Sequence, residues 1–540
     1  MADPNQDTDT NPGSDDPGFF RYTDRPGAQQ EITPIMDTEK YQRARAVYDR
    51  LVQAKGDFRY PIPDFVMSRD ERMVAWMNYN AVQIGLEEKA YDVCAAFGEL
   101  QDAAMATLLG HELTHYYEKH AWRRGFAAEF QDLDIGVKLD KIRDNVLNET
   151  QADYLGGFLA YSAGFAVFDQ TPAFMARVYE AYGFPEELGD NYPSLTDRQT
   201  LARRSAARMK QLIDIFNMAN WLNVIGKFTE AHLYYRYILR EYQSCDLYNN
   251  LGILFVRRAL EKFKPEEVKF IFPLELDLSA VRSSGRDIDL DRVKLLKEAI
   301  LQFDYAINMD PDYATAYLNK ACAYTLLGDL VRGQFYAETE ALHRATEAGH
   351  DNVAADAEVL LGIIAALRED EALAKEYFDR AISKQSSLAG INKEVLLGKD
   401  LPVAEAVIFP GETIDGVDLP DFAESPAYDE DISYSINDVV SLLQNPKPVD
   451  GAHSRIQIHY NAVTSELIIV HLTGAEYSGK TAKDLGIGAS EEKIVKAYGE
   501  PMKRIAGVQG ILLVYANLLF MLDKNKQLSR WAVYHSHSLY

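Results

Sequence analysis

The sequence predicts a multidomain, mainly helical chain. It comprises an α+β domain built around one helix with a polar cluster, an array of helix–turn–helix repeats, and a small C-terminal α+β module. Three observations carry that prediction. Residues 105–120, MATLLGHELTHYYEKH, set two histidines and a glutamate on an otherwise apolar helical stretch. From about residue 211, small, aromatic and proline residues recur at fixed spacing, as stacked helical pairs require. Near the end, SRIQIHY and ELIIVHL alternate in the manner of half-buried strands. At 540 residues there is room for three or four domains, each with its own core. The divisions read as a polar tail at 1–35, an α+β domain at 36–210, repeats at 211–390 with an insertion at 262–290, a connector at 391–450 and a module at 451–540.

The first thirty residues are rich in Asp, Asn, Pro and Gly and poor in aliphatics, so they cannot bury enough surface to order themselves. Such a segment suits a cytoplasmic tail, or the stalk of an exported periplasmic or cell-envelope protein whose leader has been removed. The net charge of −26 argues against nucleic acid and anionic lipid as partners. No run of 18 or more apolar residues is present, so no transmembrane segment is expected. Three widely spaced cysteines, Cys94, Cys245 and Cys322, read as buried free thiols rather than a disulfide framework.

Residues 36–56 carry a helical pattern through Tyr41, Ala44, Val47, Tyr48 and Leu51. Val82, Ile84 and Leu86 alternate with Gln83 and Gly85, which reads as a strand. Two roles are open for it. Its edge can pair with an extended substrate near Val82 and Ile84, or it can be a core strand with both edges taken.

The stretch HELTH places His111 and His115 four residues apart, one turn along the same helical face. Two imidazoles so placed can share one Zn²⁺ at about 2.0–2.1 Å each. Glu112 lies beside the first of them, where a carboxylate can take a proton from a water on the metal. This helix is expected to run to about Ala127. A second long helix is expected over 137–168, carrying NETQADYLGG. There Glu149 and Asp153 again stand at i, i+4. Glu149 can be the third metal ligand, and Asp153 can hold a ligating histidine by its second ring nitrogen. Three protein ligands leave a fourth position for water, which marks a catalytic rather than a structural zinc site. Residues 172–186 read as a further helix. Ser194 or Thr196 can cap the next one, which carries Arg198.

HELTHYYEKH followed by NETQADYLG resembles the gluzincin metallopeptidase family that includes HtpX and the CAAX prenyl proteases. The resemblance covers roughly residues 60–210. It implies a zinc endopeptidase in which His111, His115 and Glu149 hold the metal and Glu112 is the general base. His120 matches an extra histidine that recurs on the family's helix. The family's HPxxxxR appears here as YPSLTDR, with Tyr192 where the histidine is expected and Arg198 matching the arginine. A phenol can also donate to an oxyanion, and Arg198 can supply charge nearby or orient Glu149. The alternative is that Tyr192 packs in a wall and Arg198 makes a structural ion pair. Without a transmembrane segment, the chain is similar to the soluble, BepA-like branch that carries tetratricopeptide repeats.

The repeat frame is carried by Ala299, Phe303, Ala306 and Pro311, then by Tyr317, Ala321, Tyr324, Gly328 and Asp329. Gly362, Ala374, Phe378 and Ala381 repeat it, and Trp221, Gly226, Phe228, Ala231 and Tyr235 fit it earlier. The pattern resembles about four tetratricopeptide units. Such a stack commonly offers a concave face to a protein partner. Residues 391–450 read as a surface connector with one short helix at 436–444. The C-terminal module reads as a hairpin around NAVTS, a helix begun by Ser490 and stopped by Gly499 and Pro501, and two or three further strands. It resembles small envelope modules of the BamE/SmpA type. His453, His459, His471, His535 and His537 lack ligand spacing and are expected to be solvated strand residues.

Together these readings imply a zinc-dependent endopeptidase acting on protein or peptide substrates, with the repeats recruiting substrate or partner. The rival is a latent or non-catalytic repeat scaffold for protein–protein interaction.

Overall fold

The computed structural model describes residues 34–36, 38–55, 61–71, 73–79, 81–118, 145–165, 170–186, 194–240, 243–264, 267–274, 292–386, 388–399, 406–445, 454–507 and 510–538. The protein is multidomain and mainly helical, with a separate β-sheet region. It divides into two compact units, Met1–Lys210 and Gln211–Tyr540. Among the described residues, no helix is long and apolar enough to cross a membrane.

The first unit opens with α1 (Glu39–Lys55), then β1 (Asp64–Ser68), β2 (Ala75–Asn78) and β3 (Gln83–Glu87). The sheet order is β1-β3-β2, with β3 parallel to β1 and antiparallel to β2. β3 is therefore the central strand, with both edges paired. This corrects the reading of Val82 and Ile84 as a substrate-pairing edge. Ile84 is fully buried, and Val82 lies just ahead of the strand at φ 50°. Gly85 is required by its neighbour. A Cβ there would lie 2.0 Å from the ring of Trp76, its cross-strand partner.

Three helices then build the core of this unit: α2 (Glu88–Ala95), α3 (Gln101–Tyr117) and α4 (Asn145–Ser162). Ala103, Ala104, Met105, Ala106, Leu108, Leu109 and Leu113 make α3 a helix buried nearly all round. It ends at Tyr117, short of the expected Ala127, and residues 119–144 lie outside the described residues. Helix α5 (Thr171–Tyr182) has Pro172 in its first turn and stops at Gly183 in the left-handed conformation, φ 66°. Helix α6 (Leu195–Ile225) is begun by Ser194, whose hydroxyl accepts from the Asp197 N–H at 3.1 Å. Its first half belongs to the first unit and its second half to the other.

In the second unit, α7 (Phe228–Leu239), α8 (Cys245–Leu260), α9 (Arg292–Met309) and α10 (Ala314–Leu326) follow. Then come α11 (330–347, π-helical over Tyr336–Leu342), α12 (Asp351–Leu367), α13 (Glu371–Ser383) and α14 (Ala389–Leu396). Local chemistry sets the starts. Ser244, Asp329 and Asp370 each accept from a backbone N–H three residues on. Packing pairs these helices in one recurring way. A Cβ on Gly252 of α8 would lie 2.4 Å from the ring of Phe303 on α9. A Cβ on Gly362 of α12 would lie 2.6 Å from Phe378 on α13. Each glycine admits an aromatic ring against the helix backbone. Buried asparagines tie neighbouring helices: Asn319 donates to Asn249 at 2.9 Å, and Asn250 to Asn220 at 3.4 Å.

The chain continues through α15 (Leu419–Glu424) into an eight-stranded antiparallel sheet. Its strands are β4 (Tyr434–Ser435), β5 (Val440–Gln444), β6 (Ser454–Asn461), β7 (Glu466–Thr473), β8 (Lys503–Gly507), β9 (Gly510–Val514), β10 (Leu518–Leu522) and β11 (Leu528–Ser538), in the order β4-β5-β6-β7-β11-β10-β9-β8. Within 436–444, where a helix was expected, residues 440–444 form a strand and 436–439 a bend. Val440 and Leu442 alternate with half-buried Ser441 and Leu443, a period of two that fits a strand beside β6. Helix α16 (Glu491–Tyr498) covers the sheet through Ile494 and Tyr498. Ser490 stands at its N-cap position without a side-chain capping bond.

This sheet is joined to the helices of the same unit. Asp214 on α6 accepts from Arg455 at 2.6 Å and from Gln444 at 3.1 Å. Lys227 pairs with Glu466. His459, expected to be solvated, is fully buried with Nδ1 3.1 Å from the Tyr234 hydroxyl of α7. His471 is also buried, against Ser454. His535 and His537 are half-buried, and His453 lies outside the described residues. Cys94, Cys245 and Cys322 are buried free thiols.

Candidate metal centre

α3 carries His111 and His115 one turn apart, and both rings point to the same place: their Nε2 atoms are 2.9 Å from each other. α4 brings Glu149 to that place. Its Oε2 is 3.4 Å from His111 Nε2 and its Oε1 3.5 Å from His115 Nε2. One ligand atom from each of the three residues lies within 4.8 Å of the others. Among the described residues this is the one group of three or more such side chains that could hold a metal ion. All three are buried.

Two glycines allow this. A Cβ on Gly110 would lie 2.7 Å from the carbonyl oxygen of Gly156, and a Cβ on Gly156 would lie 2.6 Å from the backbone nitrogen of His111. The two helix backbones touch there, next to His111 and two turns along from Glu149. No ligand motif in the sequence points to this pair. Its signal was present in a glycine directly before the first histidine and a second glycine seven residues after Glu149.

Behind the ligands, Asp153 Oδ1 is 2.7 Å from His111 Nδ1 and 3.4 Å from the Arg198 guanidinium. With Nδ1–H donated to Asp153, the Nε2 lone pair of His111 is left for a metal. Burial disfavours an ionised Asp153, but the Arg198 charge and His111 together hold its carboxyl below the usual range. For His111 burial also opposes charge, and Asp153 outweighs it, raising the ring to about 9 without a metal. A proton and a metal therefore compete for this histidine. Arg198 is fully buried and ion-paired with Asp153, and the Glu149 charge also favours its charged form. It stands one residue removed from the ligands.

Glu112 is buried beside them, and its Oε1 has no hydrogen-bond partner among the described residues. Burial pushes its carboxyl up to about 8, against the lowering charges of His111 and Arg198. An unpartnered buried carboxylate of raised proton affinity can take and return a proton near neutrality. The donor set fits a divalent cation that accepts nitrogen and oxygen ligands, zinc among them. Tyr79 closes one side, its hydroxyl donating to the His115 carbonyl at 2.8 Å. His120 and Tyr192, both expected near this centre, lie outside the described residues. The chain matches no protein-family profile and no curated protein sequence.

Proposed function

We propose that the protein is a zinc-dependent endopeptidase of the gluzincin type, with tetratricopeptide repeats that recruit its substrate or a partner. The observation that carries this reading is the buried convergence of His111, His115 and Glu149 with Glu112 unpartnered beside them. The HELTH and NETQAD motifs and their resemblance to soluble, repeat-bearing relatives of HtpX support it.

In this reading His111, His115 and Glu149 hold the ion. Zinc, when bound, supplies a Lewis acid that polarises the scissile carbonyl and acidifies a water. Glu112 Oε1 accepts the proton of the attacking water and returns it to the departing amine. Asp153 fixes the His111 tautomer, and Arg198 keeps Asp153 ionised within a buried site. Tyr192 is assigned to donate a hydrogen bond to the developing oxyanion.

The rival reading, a latent scaffold, has one observation in its favour. His111, Glu112, His115 and Glu149 are each at most 2 % exposed, as a covered site would leave them. An intact general base argues for a latent enzyme over a dead one.

The test pairs metal analysis with proteome-wide cleavage profiling. Glu112→Gln is expected to retain one zinc per chain and lose cleavage by at least about 100-fold. His115→Ala is expected to lose both. Protein that holds no zinc and takes none up on addition overturns the reading. Cleavage products shared equally by wild type and Glu112→Gln would move the activity elsewhere.

A further inference from the structure

One side chain in the second unit grips a backbone the way a peptide receptor does. Asn392 on α14 is fully buried. Its Nδ2 donates to the carbonyl oxygen of Ile271 at 2.9 Å, and its Oδ1 accepts from the N–H of the same residue at 2.8 Å. A carboxamide offers a donor and an acceptor side by side. Here both are spent on the main chain of one residue with no helix or strand of its own. Such pairing reads an extended backbone and is blind to its side chain.

The segment so held, 267–274, belongs to the connection between α8 and α9. Other helical pairs of this unit are joined by short turns, such as Gly226–Lys227 between α6 and α7. Joining α8 to α9 does not demand 31 residues, 261–291, and the described part of them is laid along other helices. The Pro273 carbonyl meets the Cys322 thiol of α10 at 3.7 Å. The Phe270 ring lies 6.5 Å from Phe378 of α13, and Pro273 and Leu274 are buried. A cavity of about 300 Å³ adjoins the segment, walled by Phe270, Ile271, Ile391 and Ile505 with the charged Arg257, Lys503 and Arg504. It adds mainly apolar volume, with a cationic margin, that the segment does not fill.

We propose that this face of the second unit is a binding site for extended, apolar polypeptide segments, and that residues 268–274 occupy it as a tethered internal ligand. This deepens the reading that these helices recruit a polypeptide and rests on it, while requiring no cleavage at the metal centre. The ligand class follows from the occupant: Phe270, Ile271, Phe272, Pro273 and Leu274 form an uninterrupted apolar run without helix or strand, as an unfolded chain presents. A tethered ligand competes at an effective concentration on the order of millimolar. A free peptide must therefore bind weakly until the tether is disabled.

The test uses the full chain with Glu112→Gln throughout, so that the probe survives. The probe is a fluorescent peptide of the sequence Val-Lys-Phe-Ile-Phe-Pro-Leu, read by anisotropy. Replacing Phe270→Ser and Phe272→Ser together is expected to tighten probe binding at least about 10-fold over the parent. Adding Asn392→Ala is expected to remove that gain. Equal binding by parent and double variant, or a gain that survives Asn392→Ala, overturns the proposal. Amide hydrogen exchange on the parent gives a second, independent measurement should a variant fail to fold. The Ile271 N–H is expected to be protected without probe and to lose protection at saturating probe. Protection that saturating probe leaves unchanged overturns the proposal as well.

Discussion

Gly110 and Gly156 meet backbone to backbone, so that a Cβ on either would fall within 2.7 Å of a main-chain atom of the other helix. The pair sets how near α4 comes to α3, and so whether Glu149 reaches the two histidines. Gly156→Ala must push the helices apart, because neither neighbour is a side chain that can turn away. Overpacking of this kind costs about 1–3 kcal/mol. We expect a lowered Tm and a zinc affinity reduced at least about 10-fold, read by competition with a chromophoric chelator. Unchanged affinity in a folded Gly156→Ala protein would show that the ligands find each other without this contact.

Asp153→Asn keeps the shape of the side chain that holds His111 but removes its charge. Loss of such a supporting group typically costs 10–100-fold in metal affinity. The same range is expected here, with His111, His115 and Glu149 all intact. Arg198 loses one of its counter-charges in the same step, so thermal stability should fall with it. Zinc binding as tight as wild type would reduce Asp153 to a packing residue.

Tyr192→Phe removes one hydroxyl. If that hydroxyl stabilises the oxyanion, kcat should fall by about 10²–10³, equivalent to about 2.7–4 kcal/mol. KM and zinc content should be unchanged, since the interaction is made only as charge develops. Full kcat on a cleavable peptide would remove Tyr192 from the chemistry.

Stability of the second unit should depend on pH through two buried histidines. Burial lowers His459 to about 3, with the Lys227 charge adding to it, and lowers His471 to about 4. In the unfolded chain both titrate near 6.5. Above about pH 6.5 neither state holds the extra protons and stability is full. Below it the unfolded chain binds protons that the fold refuses, so stability falls as pH falls, until the folded histidines themselves protonate near 3–4. The slope can approach about 1.4 kcal/mol per pH unit for each histidine. His459→Gln keeps a hydrogen-bonding partner for Tyr234 and cannot titrate. Its Tm should therefore fall less between pH 7 and pH 5, by circular dichroism melts, than that of wild type. An identical slope would clear His459 of any part in it.

What could be read from the residues alone was whatever depended on short spacing. His111 and His115 are one turn apart on any helix, and so are Glu149 and Asp153, so the two donor pairs were visible without a fold. Ser194 likewise announces its helix locally. The contact between Gly110 and Gly156 was not legible, because a glycine states only that space is available, not what enters it. VVSLLQ suits a short helix as well as the strand at 440–444, and only pairing with β6 decides its period. The burial of His459 is hidden for a related reason. Its burial depends on Tyr234, 225 residues earlier in the chain.

That separation has a kinetic consequence. The bonds that join the sheet to the helices of the second unit link Asp214 to Arg455, Lys227 to Glu466 and Tyr234 to His459. On the ribosome, α6 and α7 emerge long before β6 and β7 exist. Throughout that interval Asp214, Lys227 and Tyr234 must remain solvated or find temporary company. Contacts of such high order close slowly, since the loop entropy is lost before the pairing returns anything. The face of α6 and α7 that later receives β6 and β7 thus stays uncovered on the nascent chain until those strands emerge. A translation stop anywhere before residue 455 would release helices α6 and α7 without the strands that cover them.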